Sequence, residues 1–173
     1  PGFFTKWLKD VKAEQHQNGS IPFVVPDVLT PNDAGATGWA DVGTIIPWAM
    51  YQAYGDKGIL ETQFSSMAAW VDFMTSKSKS NLWNTGFHFG DWLFYRPDDD
   101  NDGRAAVTDK YLVAQCFYAH STQLLVNAAK VLGKKADVLQ YSALLQKIKD
   151  AFRKEYMTPS GRLVSGTQTA YVL

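Results

Sequence analysis

The sequence is poor in cysteine and histidine, with one of the first and three of the second. Its one cysteine, Cys116, excludes an internal disulfide without assigning a compartment. There is no Cys/His metal spacing, no glycine-rich phosphate loop and no serine nucleophile elbow. Neither sign of charge is in excess, because Lys+Arg and Asp+Glu both number 17. That balance gives no basic surface for nucleic acid and no polybasic membrane anchor. No apolar run approaches the roughly 20 residues that span a bilayer. The opening PGFFTKWLKD carries a charged amphipathic pattern without a cleavage site, so no signal peptide is expected. Both ends are expected to be cuts through a larger domain, with the rest of a parent polypeptide as a partner.

What is abundant is aromatic surface, including six tryptophans. Most of these rings are expected in a helical core. A few could line a sugar site, where a flat apolar face meets the C–H face of a pyranose. Helical periodicity dominates the chain. Phe3, Phe4, Trp7, Leu8 and Val11 predict a first amphipathic helix ending near Gln15, before the Asn18-Gly19 break. Prolines make residues 21–26 extended. A second helix, from Trp39 or Asp41 to Tyr54, is apolar nearly all round and is expected to be buried on most sides, with a kink or shortened first turn at Pro47. An amphipathic third helix covers 59–76, a mostly apolar fourth 109–132, an amphipathic fifth 138–156, and a sixth begins at 167–169. The joins AYGDKGILETQF and VLGKKADVLQY resemble each other, each with a glycine stop between a buried and an amphipathic helix. This alternation predicts an all-α fold with two concentric rings of helices, closed rather than solenoidal because the loops are long and irregular.

Two junctions before inner helices carry the candidate chemistry. The first, Thr37-Gly38-Trp39-Ala40-Asp41, reads either as an N-cap with a core tryptophan or as a ligand-facing mouth. The second, Phe87-His88-Phe89-Gly90-Asp91-Trp92-Leu93, repeats the combination of small residue, acid and tryptophan inside the long loop 77–108. Each Trp offers a flat face and each Asp can accept two hydrogen bonds from vicinal hydroxyls. His88 reads as a supporting donor, His120 as a core histidine, and His16 as a helix-end residue. Asp98, Asp100, Asp102 and Gly103 match the opening of a calcium loop with Asp109 twelfth, but the glutamate and preceding helix of an EF-hand are missing. A solvated acidic loop is expected, with no metal and no cofactor.

The strings GWADVGTIIPWAMYQAYGD and FGDWL, in order with FFTKWLKDVKAEQ, IPFVVPDVL, TDKYLVAQCFYAHSTQLL and GRLVSGTQTAYVL, resemble the catalytic domain of glycoside hydrolase family 78, the bacterial and fungal α-L-rhamnosidases. The resemblance implies part of an (α/α)6 barrel, roughly its middle, and inverting release of terminal α-L-rhamnose from a rhamnose-containing carbohydrate. Inversion needs an acid and a base about 6.5–9.5 Å apart. The family has them in an acidic stretch upstream and a glutamate downstream, neither of which occurs here, so no catalytic residue is assigned to this chain. What the resemblance carries over is substrate binding by Trp39, Asp41, Asp91 and Trp92, and it suggests a periplasmic or extracellular setting. A non-catalytic sugar-binding or scaffolding helical module, or an (α/α)6 glycosidase acting on another sugar, is the alternative reading.

Overall fold

A computed structural model describes residues 2–30, 32–93 and 106–173; the acidic sequence 98–103 lies outside the described residues. The described chain is helical: α1 Gly2–Glu14, α2 Val42–Tyr54, α3 Lys57–Lys77, α4 Lys110–Val131, α5 Lys135–Tyr156 and α6 Gln168–Val172. Among the described residues β pairing is limited to isolated bridges, Pro22 with Ala34, Lys79 with Leu82 and Met157 with Leu163. The helix boundaries follow the local chemistry. Asp56 caps α3 by accepting from the Gly58 N–H, and Asp109 caps α4 by accepting from the N–H groups of Tyr111 and Leu112. Gly55 ends α2 in the left-handed conformation, its N–H returning to the Tyr51 carbonyl.

The helices pack as antiparallel hairpins, α2 on α3 and α4 on α5, with α3 against α4 and α1 across α2 and α3. One large core runs between them. The α3 face made by Leu60, Phe64, Met67, Trp70, Val71 and Met74 meets Tyr118, Leu125 and Ala128 of α4. Spacings of three and four residues place these side chains on one stripe of α3. The expectation that α2 is buried on most sides is corrected. Gly43, Thr44, Pro47 and Met50 are buried, while Ile45, Ile46 and Trp48 stay half-buried, because the neighbours of α2 here cover only part of its circumference.

Long loops are anchored from inside. Gln115 of α4 has no exposure, and all of its polar atoms are used. Its Oε1 accepts from the Trp83 N–H at 2.8 Å, and its Nε2 donates to the carbonyls of Asn81 and Ile148 at 2.9 and 3.1 Å. This fixes Trp83, itself buried against Trp70 and Tyr118, beneath the second junction. On the other side, His16 bridges Asp27 at 2.9 Å through Nε2 and Ser20 at 3.1 Å through Nδ1, tying the extended segment back to α1. This Ser–His–Asp set is no nucleophile: the Ser20 hydroxyl is buried and donates to Asn18. Burial pushes the Cys116 thiol up to about 11, which keeps it protonated and unreactive.

Replacing Gln115 by methionine keeps the shape but strands the Trp83 backbone N–H and removes the donor to the Asn81 and Ile148 carbonyls. The expected loss is at least about 1–3 kcal/mol, the usual cost of one unsatisfied buried group. A lower denaturant midpoint with an unchanged slope would show it; an unmoved midpoint would mean the 77–85 loop is held by something else.

Candidate functional site

The two junctions meet at one mouth of the bundle. The ring centroids of Trp39 and Trp92 lie 6.2 Å apart with 37° between planes. Phe89 completes the group, stacked on Trp39 at 4.4 Å and 5.7 Å from Trp92. A sugar sandwiched between two rings needs roughly twice the ~3.5–4.0 Å carbon contact distance. The two tryptophans are too close for that, so with Phe89 they form a single aromatic wall. Trp39 is 38% and Trp92 44% exposed, in contrast to Trp70 and Trp83, which are buried in the core. Phe23 and Phe87 extend the wall, Phe23 edge-on to Phe89 at 5.3 Å and Phe87 edge-on at 4.9 Å.

Local backbone sets these directions. Gly38 precedes Trp39 with φ +81° and Gly90 precedes Asp91-Trp92 with φ +68°, both in the left-handed region open to glycine. At Gly90 a Cβ would also meet Lys110 Cγ at 3.0 Å and Ala106 Cβ at 3.1 Å. In the Phe87-His88-Phe89 stretch, the two phenylalanines reach the wall while His88 between them is buried, 2% exposed.

The two aspartates do not face the mouth as expected. Asp41 has no exposure and accepts four hydrogen bonds. Its Oδ1 takes Trp70 Nε1 at 2.9 Å and Ser121 Oγ at 2.5 Å; its Oδ2 takes the Gly38 N–H at 2.8 Å and Thr37 Oγ1 at 3.3 Å. A carboxylate has about four lone-pair sites, so none remains for a sugar hydroxyl. The N-cap reading is corrected too, since the Asp41 side chain caps no N–H of α2. Burial raises its pKa above the usual carboxylate range, against the bonds from Ser121, Trp70, Gly38 and Thr37.

Asp91 is saturated in the same way. Its Oδ1 accepts from the N–H groups of Val107 and Thr108 at 2.9 and 3.1 Å, and its Oδ2 from the hydroxyls of Thr108 and Thr169 at 2.7 and 3.0 Å. Partial burial pushes this acid up, but the bonds from Thr108, Val107 and Thr169 outweigh it and hold the carboxyl below its usual range. In this structure the carboxylates of Asp41 and Asp91, expected at a substrate, are engaged by protein donors and clamp the segment that carries the tryptophan beside each of them.

His88 joins the clamps. Its Nδ1 accepts from the Thr37 N–H at 3.1 Å, and its Nε2 donates to the Thr85 carbonyl at 3.0 Å, which assigns the neutral Nε2–H tautomer. Burial is the main cause of its lowered pKa, with the Lys110 charge adding to it. Trp83 packs edge-on beneath the imidazole at 4.6 Å. Sequence reasoning passed over Phe23, Phe87 and Phe89 as wall residues, although the alternation of Phe87 and Phe89 around a polar residue was a usable signal. Among the described residues no three His, Cys, Asp or Glu side chains converge as a metal site.

Over residues 1–173 the chain matches the family described as the bacterial alpha-L-rhamnosidase 6 hairpin glycosidase domain. It is 39% identical over 173 residues to an alpha-L-rhamnosidase of Formosa agariphila and 35% identical over 171 residues to one of Streptomyces avermitilis. Each match covers 99% of this chain but only 18% and 15% of the respective relative, so the chain spans less than a fifth of their length. The backbone superposes with a TM-score of 0.85 on the crystal structure of the Streptomyces avermitilis alpha-L-rhamnosidase complexed with L-rhamnose, at 35% identity over 98% of this chain and 15% of that one. It superposes equally well, at 0.85, on the native enzyme from Aspergillus terreus, at 33% identity over 98% of this chain and 20% of that one.

The His88 geometry generates a pH prediction. A histidine held neutral below its ordinary value of about 6.5 stabilises the fold fully above that pH. The contribution is lost as pH falls through the lowered folded value, because the unfolded chain takes up the proton first. His88→Gln can still accept from Thr37 and donate to Thr85 but cannot titrate. Thermal melts from pH 8 to 5 should show the wild type losing stability below about 6.5, with that part of the loss absent in the variant. Parallel curves for the two proteins would show that His88 is not the titrating group.

Proposed function

The chain belongs to the bacterial α-L-rhamnosidase six-hairpin glycosidase domain family, and we propose that it supplies the sugar-binding wall of an inverting glycoside hydrolase releasing terminal α-L-rhamnose. The observation that carries this reading is the wall itself. Trp39, Phe89 and Trp92 form a continuous, partly exposed aromatic surface in which the two tryptophans keep part of their surface open. A 6-deoxy sugar suits such a surface, since its C–H face and its methyl group are both apolar.

In this reading the wall binds and orients. It covers one face of the sugar, excludes water from that face and presents the anomeric carbon toward groups on other parts of the parent polypeptide. The general acid and base come from those other parts, about 6.5–9.5 Å apart for inversion. Neither clamped aspartate suits either role. Asp91 is held ionised by four donors and lacks the raised pKa of a general acid, while Asp41, whose pKa is raised, is sealed from substrate. Their role here is to position the tryptophans. The chain is then a middle portion of the catalytic domain, and a rhamnose-containing carbohydrate is its ligand within the complete enzyme.

Two outcomes test the reading. In the intact enzyme, Trp39→Ala or Trp92→Ala should weaken rhamnose binding by about 1–3 kcal/mol, the worth of one large apolar contact. Trp83→Ala should instead cost about 3–5 kcal/mol of stability, as a core aromatic does. Calorimetry with rhamnose beside thermal melts separates them; normal rhamnose binding by both wall variants would sink the assignment. The isolated 173-residue chain should hydrolyse no aryl α-L-rhamnoside, and turnover near that of the intact enzyme would place an acid and a base within it.

A further inference from the structure

A run of hydroxyls lies behind Asp91, and two of its members, Ser165 and Thr167, make no direct contact with that carboxylate. Ser165 Oγ stands 3.2 Å from Thr167 Oγ1, and Thr167 Oγ1 stands 2.7 Å from Thr108 Oγ1. Thr108 Oγ1 in turn lies 2.7 Å from Asp91 Oδ2. Thr169 reaches the same Oδ2 separately, at 3.0 Å, from 78 positions further along the chain. Thr108 is buried, and Ser165, Thr167 and Thr169 are half-buried.

Proton accounting gives the run a direction. Each hydroxyl has one proton to donate and two lone pairs. Asp91 accepts two backbone N–H groups, and its carboxyl is held below its usual range, so it has no proton to give. Thr108 therefore spends its proton on Asp91. Thr167 then has to donate to Thr108, and Ser165 to Thr167. The Ala170 N–H also donates to Thr167 Oγ1, as the N-cap bond of α6. Every donor points toward Asp91, an order in which each bond polarises the next. The far end of the run is anchored as well, because the Val164 N–H donates to the Tyr156 carbonyl at the end of α5 at 2.9 Å.

We propose that Thr167 and Thr169 are positioning residues for the terminal sugar, acting through Asp91 on Trp92. The proposal rests on the sugar-wall reading above. Trp92 follows Asp91 directly, and the Asp91 side chain ties this junction to the start of α4 and to α6. A junction with fewer donors has more arrangements open to it. A ring that the ligand itself has to order then binds that ligand more weakly. Neither threonine has to touch the sugar for this effect.

The test uses the intact enzyme, with rhamnose calorimetry well below every melting temperature and kinetics on p-nitrophenyl α-L-rhamnoside. Thr169→Val should weaken rhamnose binding about 5-fold, the size of one hydrogen bond, and raise KM more than it lowers kcat. Thr169→Ser, which restores the donor, should recover the affinity. Thr167 needs a further variant because it also caps α6. Thr167→Asp keeps an acceptor for the Ala170 N–H but has no proton for Thr108, so it should lose affinity at least as Thr167→Val does. Asp56→Ala strips the N-cap from α3 and controls for lost stability alone; its rhamnose affinity should be unchanged. If Trp92→Ala binds rhamnose normally, Trp92 is not part of a sugar wall and the proposal falls with that reading. If Trp92→Ala weakens binding while Thr169→Val or Thr167→Asp binds normally, the proposal is overturned and the wall reading stands. A matching loss in Asp56→Ala would assign the effect to stability and overturn the proposal in the same way.

Discussion

A carboxylate with no contact with water holds the first junction to the helices behind it. Asp41 ends the turn that carries Trp39, and its four donors come from separate places: the turn itself through Gly38 and Thr37, α3 through Trp70, and α4 through Ser121. Taking such a group out of water is costly unless every lone pair is met. Here every one is met, and the requirement works as a geometric constraint. The turn, α3 and α4 have to arrive together, because the absence of any one donor leaves a buried acceptor unpaired. The Thr44 hydroxyl, 2.6 Å from that of Ser121, adds α2 to the same set.

The second junction is held by the opposite balance. Asp91 lies nearer the surface, and its hydrogen bonds outweigh the cost of burial, so its charge is favoured where that of Asp41 is penalised. It gathers residues 107 and 108, leading into α4, and Thr169, at the start of α6. His88 links the two clamps by accepting from Thr37 at the edge of the first junction while lying within the second. The rings of Trp39 and Trp92 therefore owe their spacing to a polar framework behind them. Phe89 packs against both rings, and each tryptophan keeps part of its surface open.

The helices were readable because their causes are local. The stripe of Leu60, Phe64, Met67 and Val71, the glycine after Tyr54 and the aspartates at 56 and 109 act within a turn of where they stand. Both junctions were also readable as places, through their glycine, acid and tryptophan. The fate of the acids was not. An aspartate in a loop looks the same in sequence whether it meets a hydroxyl of a sugar or one of a serine eighty positions away. The donors to Asp41 are a tryptophan inside α3 and a serine inside α4, residues whose helical spacing marks them as core. The burial of α2 was overestimated for a related reason, since an apolar circumference states what a helix can bury and not which neighbours cover it.

Saturated clamps have a consequence for how a sugar can be told from its relatives. Polar groups discriminate strongly when a missing partner leaves them unpaired, and a carboxylate already holding four protein donors loses nothing when a sugar hydroxyl is absent. Asp41 and Asp91 therefore cannot read the pattern of hydroxyls. On the proposed reading, what the wall can sense is shape and apolar character, through rings positioned by the clamps behind them. An aromatic wall of this kind distinguishes a methyl from a hydroxymethyl group only modestly, because an apolar surface gains or loses little by one polar atom at its edge. If this chain supplies the sugar-binding wall proposed for it, sharp selection among stereoisomers of a hexose would have to come from unsaturated donors and acceptors on other parts of the polypeptide. On the proposed reading, recognition of apolar shape and recognition of hydroxyls would be divided between different stretches of the parent polypeptide, and a wall that does not have to respond to polarity could be set in place by its polar framework alone.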